Sequence, residues 1–333
     1  MKRLLFPLMI VFTLLAVYSC GDDDDDGRTK FTVTFDTDGG SAVPSQTVKE
    51  GDKVAKPEDP TKDNAVFVGW YIGDEWFNFV STTVTADITI KARYKVRDAF
   101  SVSDTKQVYF AKGNVQYHCK NKEWRFAPNQ YDCIGEDNAN ISSDYDGYID
   151  LFGWGTGDIP ALSSKDDELY TKFTDWGVNM DGGNVWRTLT GDEWDYLIGG
   201  RQKSTEKYGV AQVGGVNGLV LLPDYFVLPE GLSFNDGLAG YIDATHGHSY
   251  KDHNDYSAAD WQKMEAAGAV FLPAGGQRIW GNHPSGVHYD GCYWASDPHC
   301  GLLFDAIYLT SGYLDNNYCD RHVGFSVRLV RDL

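Results

Sequence analysis

His246 and His248 are one residue apart, which on a strand places both imidazoles on one face, and Asp252 and His253 follow closely enough to complete a set that could hold zinc or copper. The segment from Tyr250 to Tyr256 is polar and loop-like, so a surface cluster without metal is the favoured reading, with His246, His248 and His253 kept as weak candidates and no cofactor expected. Asp144, Asp146 and Asp150 surround Gly147 with hard oxygen ligands, but their spacing departs from an EF-hand loop and favours a solvated acidic loop. The stretch from His288 to His322 mixes rigid rings with adaptable polar groups. Trp294, Tyr313 and Tyr318 offer contact area at small entropy loss, while Asp297, His299, Asn316, Asn317 and Arg321 adjust hydrogen bonds, a mixture that binding faces favour. The competing reading puts about half of these rings in the core.

The segments that must position these groups begin at an unusual N-terminus. Lys2 and Arg3 precede an apolar run from Leu4 to Val17, too short to span a bilayer comfortably and laid out as a secretory signal. The string Val17-Tyr18-Ser19-Cys20 resembles a bacterial lipobox, which implies a signal peptide over 1–19, lipidation of Cys20 and a membrane partner reached through acyl chains. Tyr18 stands where that pattern usually has a small residue. Asp22 to Asp26 form a block of like charge that cannot collapse, hence a solvated tether over 20–30. The block also resembles the acidic export signal of surface lipoproteins in Bacteroides-type bacteria, implying an outer-membrane or cell-surface location.

Across all 333 residues, 48 acids face 29 Lys and Arg, a net charge of −19, and no basic stripe offsets it, which excludes nucleic acid as a partner. With 42% hydrophobic residues the chain has ample apolar surface to fold, and its length suggests about two domains.

Phe31 to Phe35 alternates apolar and polar residues and runs into Asp38-Gly39-Gly40, a half-buried strand ended by a tight turn. Val66 to Tyr71 and Ile88 to Tyr94 read as further strands, with Trp70, Trp76, Phe77 and Phe79 expected in packing. The string from "FTVTFDTDGG" through "FVGWY" to "ITIKARY" closely resembles the Listeria–Bacteroides repeat, the internalin B-type repeat, which implies a β-grasp module over 31–95 acting as spacer or adhesion unit.

Residues 98–333 hold many short apolar runs between Gly-, Asn- and Asp-rich loops, with two legible helices. In the first, Thr190 caps, Glu193 reaches back, Leu189 meets Trp194, and Gly199-Gly200 ends the helix. In the second, Ser257 caps, with Asp260 at the third position and Tyr256 against Trp261. The expected class is therefore α+β. "WRTLTGDEWDYLIGGR" and "VGFSVRLVR", with "AAGAVFLPAGGQR" and "YWASDPH" between them, resemble sulfatase-modifying, formylglycine-generating-type domains, whose fold is a C-type-lectin-like variant. That family's activity needs a cysteine pair before the final strand, and Cys319 stands alone there; Ala127-Pro128-Asn129 also lacks the first oxygen ligand of a calcium-dependent sugar loop.

Once Cys20 carries lipid, Cys119, Cys133, Cys292, Cys300 and Cys319 leave an odd count whose pairing stays open, with Cys292–Cys300 a candidate loop staple. No nucleophile elbow, phosphate loop or dinucleotide fingerprint occurs, and the many acids supply carboxylate pairs without fixing their separation. The expectation is a surface-anchored, non-catalytic module that binds glycan or protein. The alternatives are a structural or fimbria-associated envelope component and, less favoured, a glycan-active hydrolase.

Overall fold

The computed structural model describes residues 27–180, 185–236, 254–297, 300–305 and 319–333. Strands dominate and helices are few, a mixed α and β fold. The chain divides into two compact units, one formed by the residues up to Pro60 with Gly69–Arg93, the other by Thr61–Val68 with Tyr94–Leu333.

The sheet of the N-terminal segment has strands β1 (Lys30–Asp36), β2 (Gln46–Lys49), β3 (Ala65–Ile72), β4 (Glu75–Trp76) and β5 (Ile88–Val96), in the order β2-β1-β5-β3-β4. β1 runs antiparallel to β2 and parallel to β5, with Val33 opposite Ile88. The period-two pattern of β1 sends Val33 and Phe35 to one face, where they join Ile90, Phe77 and Trp70 in the core. Trp70 meets Phe35 edge-on at 5.0 Å between ring centres. Trp76 departs from the expected packing: it is 59% exposed. Its two-residue strand lies at the sheet edge, and its ring covers the bare Cα of Gly69, whose φ of 149° suits a residue without a side chain.

The larger unit contains β6 (Phe100–Ser101), β7 (Gln107–Phe110), β8 (Val115–His118), β9 (Glu123–Phe126), β10 (Tyr148–Ile149), α1 (Gly191–Asp195), β11 (Tyr208–Val213), β12 (Val216–Leu221), β13 (Asn254–Tyr256), α2 (Ala258–Ala266), β14 (Val270–Pro273), β15 (Gln277–Ile279), β16 (His283–Ser285), β17 (Asp290–Trp294), β18 (Cys300–Asp305) and β19 (Val330–Asp332). Among the described residues they form small sheets, the largest ordered β13-β11-β12-β14, with the C-terminal β19 beside β7 and β6 on the other side of β7. β17 lies between two cores because adjacent residues of a strand face opposite ways. Tyr293 packs with Phe100, Leu189, Trp194 and Leu219, whereas Trp294 packs with Phe152, Trp176, Phe325 and Val327.

Both helices start as the side chains require. The Thr190 hydroxyl accepts from the Glu193 N–H at 3.1 Å and the Glu193 carboxylate accepts from the Thr190 N–H, a closed capping box. α1 then widens into a π-turn over Tyr196–Gly200, in which the Arg201 N–H reaches the Tyr196 carbonyl. α2 is capped by Ser257, which accepts from the Asp260 N–H, and sets Trp261 and Met264 against Phe271 and Val220. It ends where Gly268 adopts φ 97° and the Ala269 N–H closes back on Met264.

Three guanidinium groups are sealed inside this unit. Arg278 donates to the carbonyls of Leu151 and Gly281. Arg201 donates to those of Leu197, Leu222 and Lys207, with Asp224 at 3.5 Å. Arg328 donates to the Asn114 amide oxygen and to the carbonyls of Ala111, Gln130 and Phe271. A loop-rich unit has many backbone carbonyls that no ladder satisfies, and a planar group with five donors ties several of them together. Burial lowers the pKa of Arg201 and of Arg328 to about 10, above neutrality, so both stay charged.

Candidate functional site

The ligand residues expected from sequence fall into three groups in the structure. His299, Tyr313, Asn316, Asn317 and Tyr318 lie outside the described residues, as do Cys20 and the histidines His246, His248 and His253. Trp294 is 1% exposed and its indole donates to the Phe152 carbonyl at 2.6 Å, so its ring belongs to the core and presents no face to a ligand. In sequence it counts with the ligand rings for the mixture of aromatic and polar residues around it, but its strand has a core on each face. Asp297 and Arg321 are half-buried and already engaged. The Asp297 carboxylate accepts from the Gly191 N–H at 2.8 Å, at the start of α1, and its carbonyl accepts from the Trp154 indole at 3.0 Å. That gives Asp297 a structural duty of favourable charge at a helix start.

Arg321 and His322 meet the loop that follows Trp154. Arg321 donates from Nη1 to the Tyr170 carbonyl at 2.9 Å, while its Nε lies 3.9 Å from the Asp167 carboxylate. Asp167 accepts from the His322 N–H at 2.8 Å and stands 2.9 Å from the ring nitrogen Nδ1. One carboxylate therefore faces an Arg and a His on adjacent residues, with Tyr170 packed beneath. Asp167 was not singled out from the sequence, since nothing local marks an acid whose partners lie more than a hundred residues away.

The same loop reaches a second element. Ser163 donates from its hydroxyl to the Gly281 carbonyl, which also accepts from Arg278, and the Ser164 N–H bonds the Tyr170 hydroxyl at 3.1 Å. Gly281 belongs to the tip of the β15–β16 hairpin, where Ile279 pairs with His283. The loop from Leu162 to Tyr170 thus joins the hairpin tip on one side to Arg321 and His322 on the other.

A separate cleft of about 440 Å³ opens beside the π-turn, lined by Trp194, Ile198, Ser204, Thr205, Tyr208 and Leu302 among others. Its walls are the outer side of a core cluster, and Asp195 is the acid on its rim.

The acidic loop around Gly147 does not converge on a cation. Asp146 pairs with Lys120 at 2.8 Å, whereas Asp150 is fully buried, accepting from the Asn138 amide at 2.8 Å and the Ile134 N–H at 2.8 Å. Burial raises Asp150 to about pKa 6 against the lowering effect of those bonds. Among the described residues no group of three or more His, Cys, Asp or Glu is placed to hold a metal ion. The expected Cys292–Cys300 staple does not form: Cys292 is a buried free thiol, and Cys319 carries a disulfide. Cys119 and Cys133 are also free, and burial, helped by Asp150 and Asp132, lifts Cys133 to about 12, far from a reactive thiolate.

Residues 31–93 match the Listeria-Bacteroides repeat domain. A stretch of 77 residues is 32% identical to a protein of Evansella cellulosilytica provisionally named a Gly-rich membrane protein, covering 22% of this chain and 9% of that one. A second protein of the same organism, provisionally named a membrane protein, is 30% identical over 71 residues, 20% of this chain and 11% of its own. The match thus spans about a tenth of the length of these curated relatives. Among the described residues, no helix is long and apolar enough to cross a membrane.

Proposed function

We propose that the protein is a lipid-anchored, non-catalytic recognition module of the bacterial cell surface, in which the larger unit binds a glycan or protein. In this reading residues 1–19 are a lipoprotein signal, Cys20 bears the lipid, and residues 20–30 form an acidic tether. Residues 31–95 form a β-grasp repeat, and residues 98–333 a C-type-lectin-like unit. The anchor rests on the lipobox-like string and the aspartate block, and the names of the two relatives, both called membrane proteins, are compatible with it.

The observation that carries the recognition half is where the chemistry-bearing groups of the larger unit go. Its motif residues Trp194, Trp294, Arg201, Arg278 and Arg328 are sealed into packing, and Asp297 caps a helix. The side chains left for an outside partner are those of exposed loops, the β15–β16 tip among them. Loops mounted on a rigid frame are where recognition usually resides.

Two measurements test the two halves. The C20S variant should lose label from a tagged fatty acid and lose protease accessibility on intact cells; label that persists removes the anchor. Full chain incubated with glycans should bind without releasing new reducing ends, whereas turnover would make it a hydrolase, and neither binding nor turnover would favour a structural role.

A further inference from the structure

Trp280 sits at the tip of the β15–β16 hairpin and is 64% exposed, while every other tryptophan of the larger unit is buried or half-buried. Its φ is 53°, the left-handed region in which a bulky side chain is disfavoured and Asn or Gly is at ease. The ring is thus held out to solvent on a backbone conformation that opposes it, and the fold gains little burial in return. Outliers of this kind concentrate where a side chain is presented to a ligand. The tip beneath it is firmly held: the buried Arg278 and the Ser163 hydroxyl both donate to the carbonyl of Gly281. One side of the indole is steadied by His283, stacked at 18° and 5.9 Å between ring centres. Around the tip stand Asn282, His283 and Lys165, polar groups that can bond hydroxyls.

We infer that Trp280, backed by His283, is a stacking platform for a neutral glycan built of β-linked pyranoses, an assignment that rests on the recognition reading above and names its ligand class. A pyranose whose hydroxyls are equatorial turns its axial C–H bonds to the two faces of the ring. Those slightly positive hydrogens suit the negative face of an indole. A flat ring on a convex tip, rather than a walled pocket, fits an internal unit of an extended chain. The net charge of −19 disfavours sulfated or uronate-rich polymers at long range, which selects neutral chains.

The test uses the full chain in detergent, titrated calorimetrically with cellohexaose, xylohexaose and laminarihexaose, and with polygalacturonate and chondroitin sulfate as anionic comparisons. At least one neutral oligosaccharide should bind. W280N, which removes the ring but suits the backbone, should weaken that binding by about tenfold or more while its Tm stays equal or rises by about 1–4 °C. W280F should lie between the two. Binding that W280N leaves intact overturns the platform and leaves recognition to another part of the unit. Binding of the anionic polymers alone overturns the ligand class, and no binding to any glycan removes the glycan half of the parent reading as well. A Tm that falls by several degrees together with binding would make the ring structural and equally overturn the inference.

Discussion

Strand β17 and the tip of the β15–β16 hairpin each carry a tryptophan, and the two rings have opposite fates. Trp294 is clasped between Phe152 and Phe325 with its N–H satisfied by a carbonyl, whereas Trp280 stands in solvent on a left-handed backbone. Both lie in polar, Gly-rich sequence, yet only Trp294 reads there as a candidate binding ring. What separates them is the element beneath. A paired strand with cores on both sides buries four of the five residues it carries, Gly291 to Trp294, and a two-stranded hairpin with its tip held by Arg278 presents what lies at its end.

The contrast can be broken most forcefully at the strand. W294A should destabilise the protein by about 3–5 kcal/mol, because it removes a fully buried ring and one of the two donors to the Phe152 carbonyl, which keeps the Phe325 N–H; urea denaturation measures it, and a loss below about 1 kcal/mol would place the ring at the surface. R328A comes next. Removing the guanidinium leaves an amide oxygen and three carbonyls without their donor, at a cost of about 2–4 kcal/mol, and R328K should recover little because an ammonium cannot span four acceptors in a plane.

Asp150 gives a smaller effect with a defined sign. A carboxyl whose folded pKa is raised to about 6 stabilises the fold while protonated, and that contribution drains away as pH climbs from about 4 through about 6. The Tm of the wild type relative to D150N should fall over that interval; a rise would mean that the bonds from Asn138 and Ile134 outweigh burial. The smallest effect is at Asp297. D297A removes the acceptor at the start of α1 and should cost about 1 kcal/mol, with the first turn of that helix exchanging its amide protons faster.

Legibility in the sequence followed the range of the interactions. The caps at Thr190 and Ser257, the partner Glu193 and the pairing of Tyr256 with Trp261 are local, and residue spacing suffices to read them. The strands at Lys30–Asp36, Ala65–Ile72 and Ile88–Val96 announce themselves by alternation, but Gln46–Lys49 and Glu75–Trp76 are too short for a period to show. Burial of Arg201, Arg278 and Arg328 was illegible because no local rule sends a charged residue inward, and each group also reaches carbonyls well away in sequence, Leu222, Leu151 and Phe271 among them. The same holds for Asp167 beneath His322. Trp280 passed unnoticed for the converse reason, since its exposure and its φ are properties of a hairpin whose strands are only three residues each.

The claim that the motif residues hold the frame while the tip is left for recognition is tested most directly by hydrogen exchange at the tryptophan indoles of the full chain, selectively labelled with nitrogen-15. The Trp294 indole N–H should be protected by about a thousandfold or more over a free indole, opening only when the surrounding core opens, and that of Trp280 should exchange within about tenfold of the free rate. Comparable protection at the two rings, or a slower Trp280 than Trp294, would contradict the account.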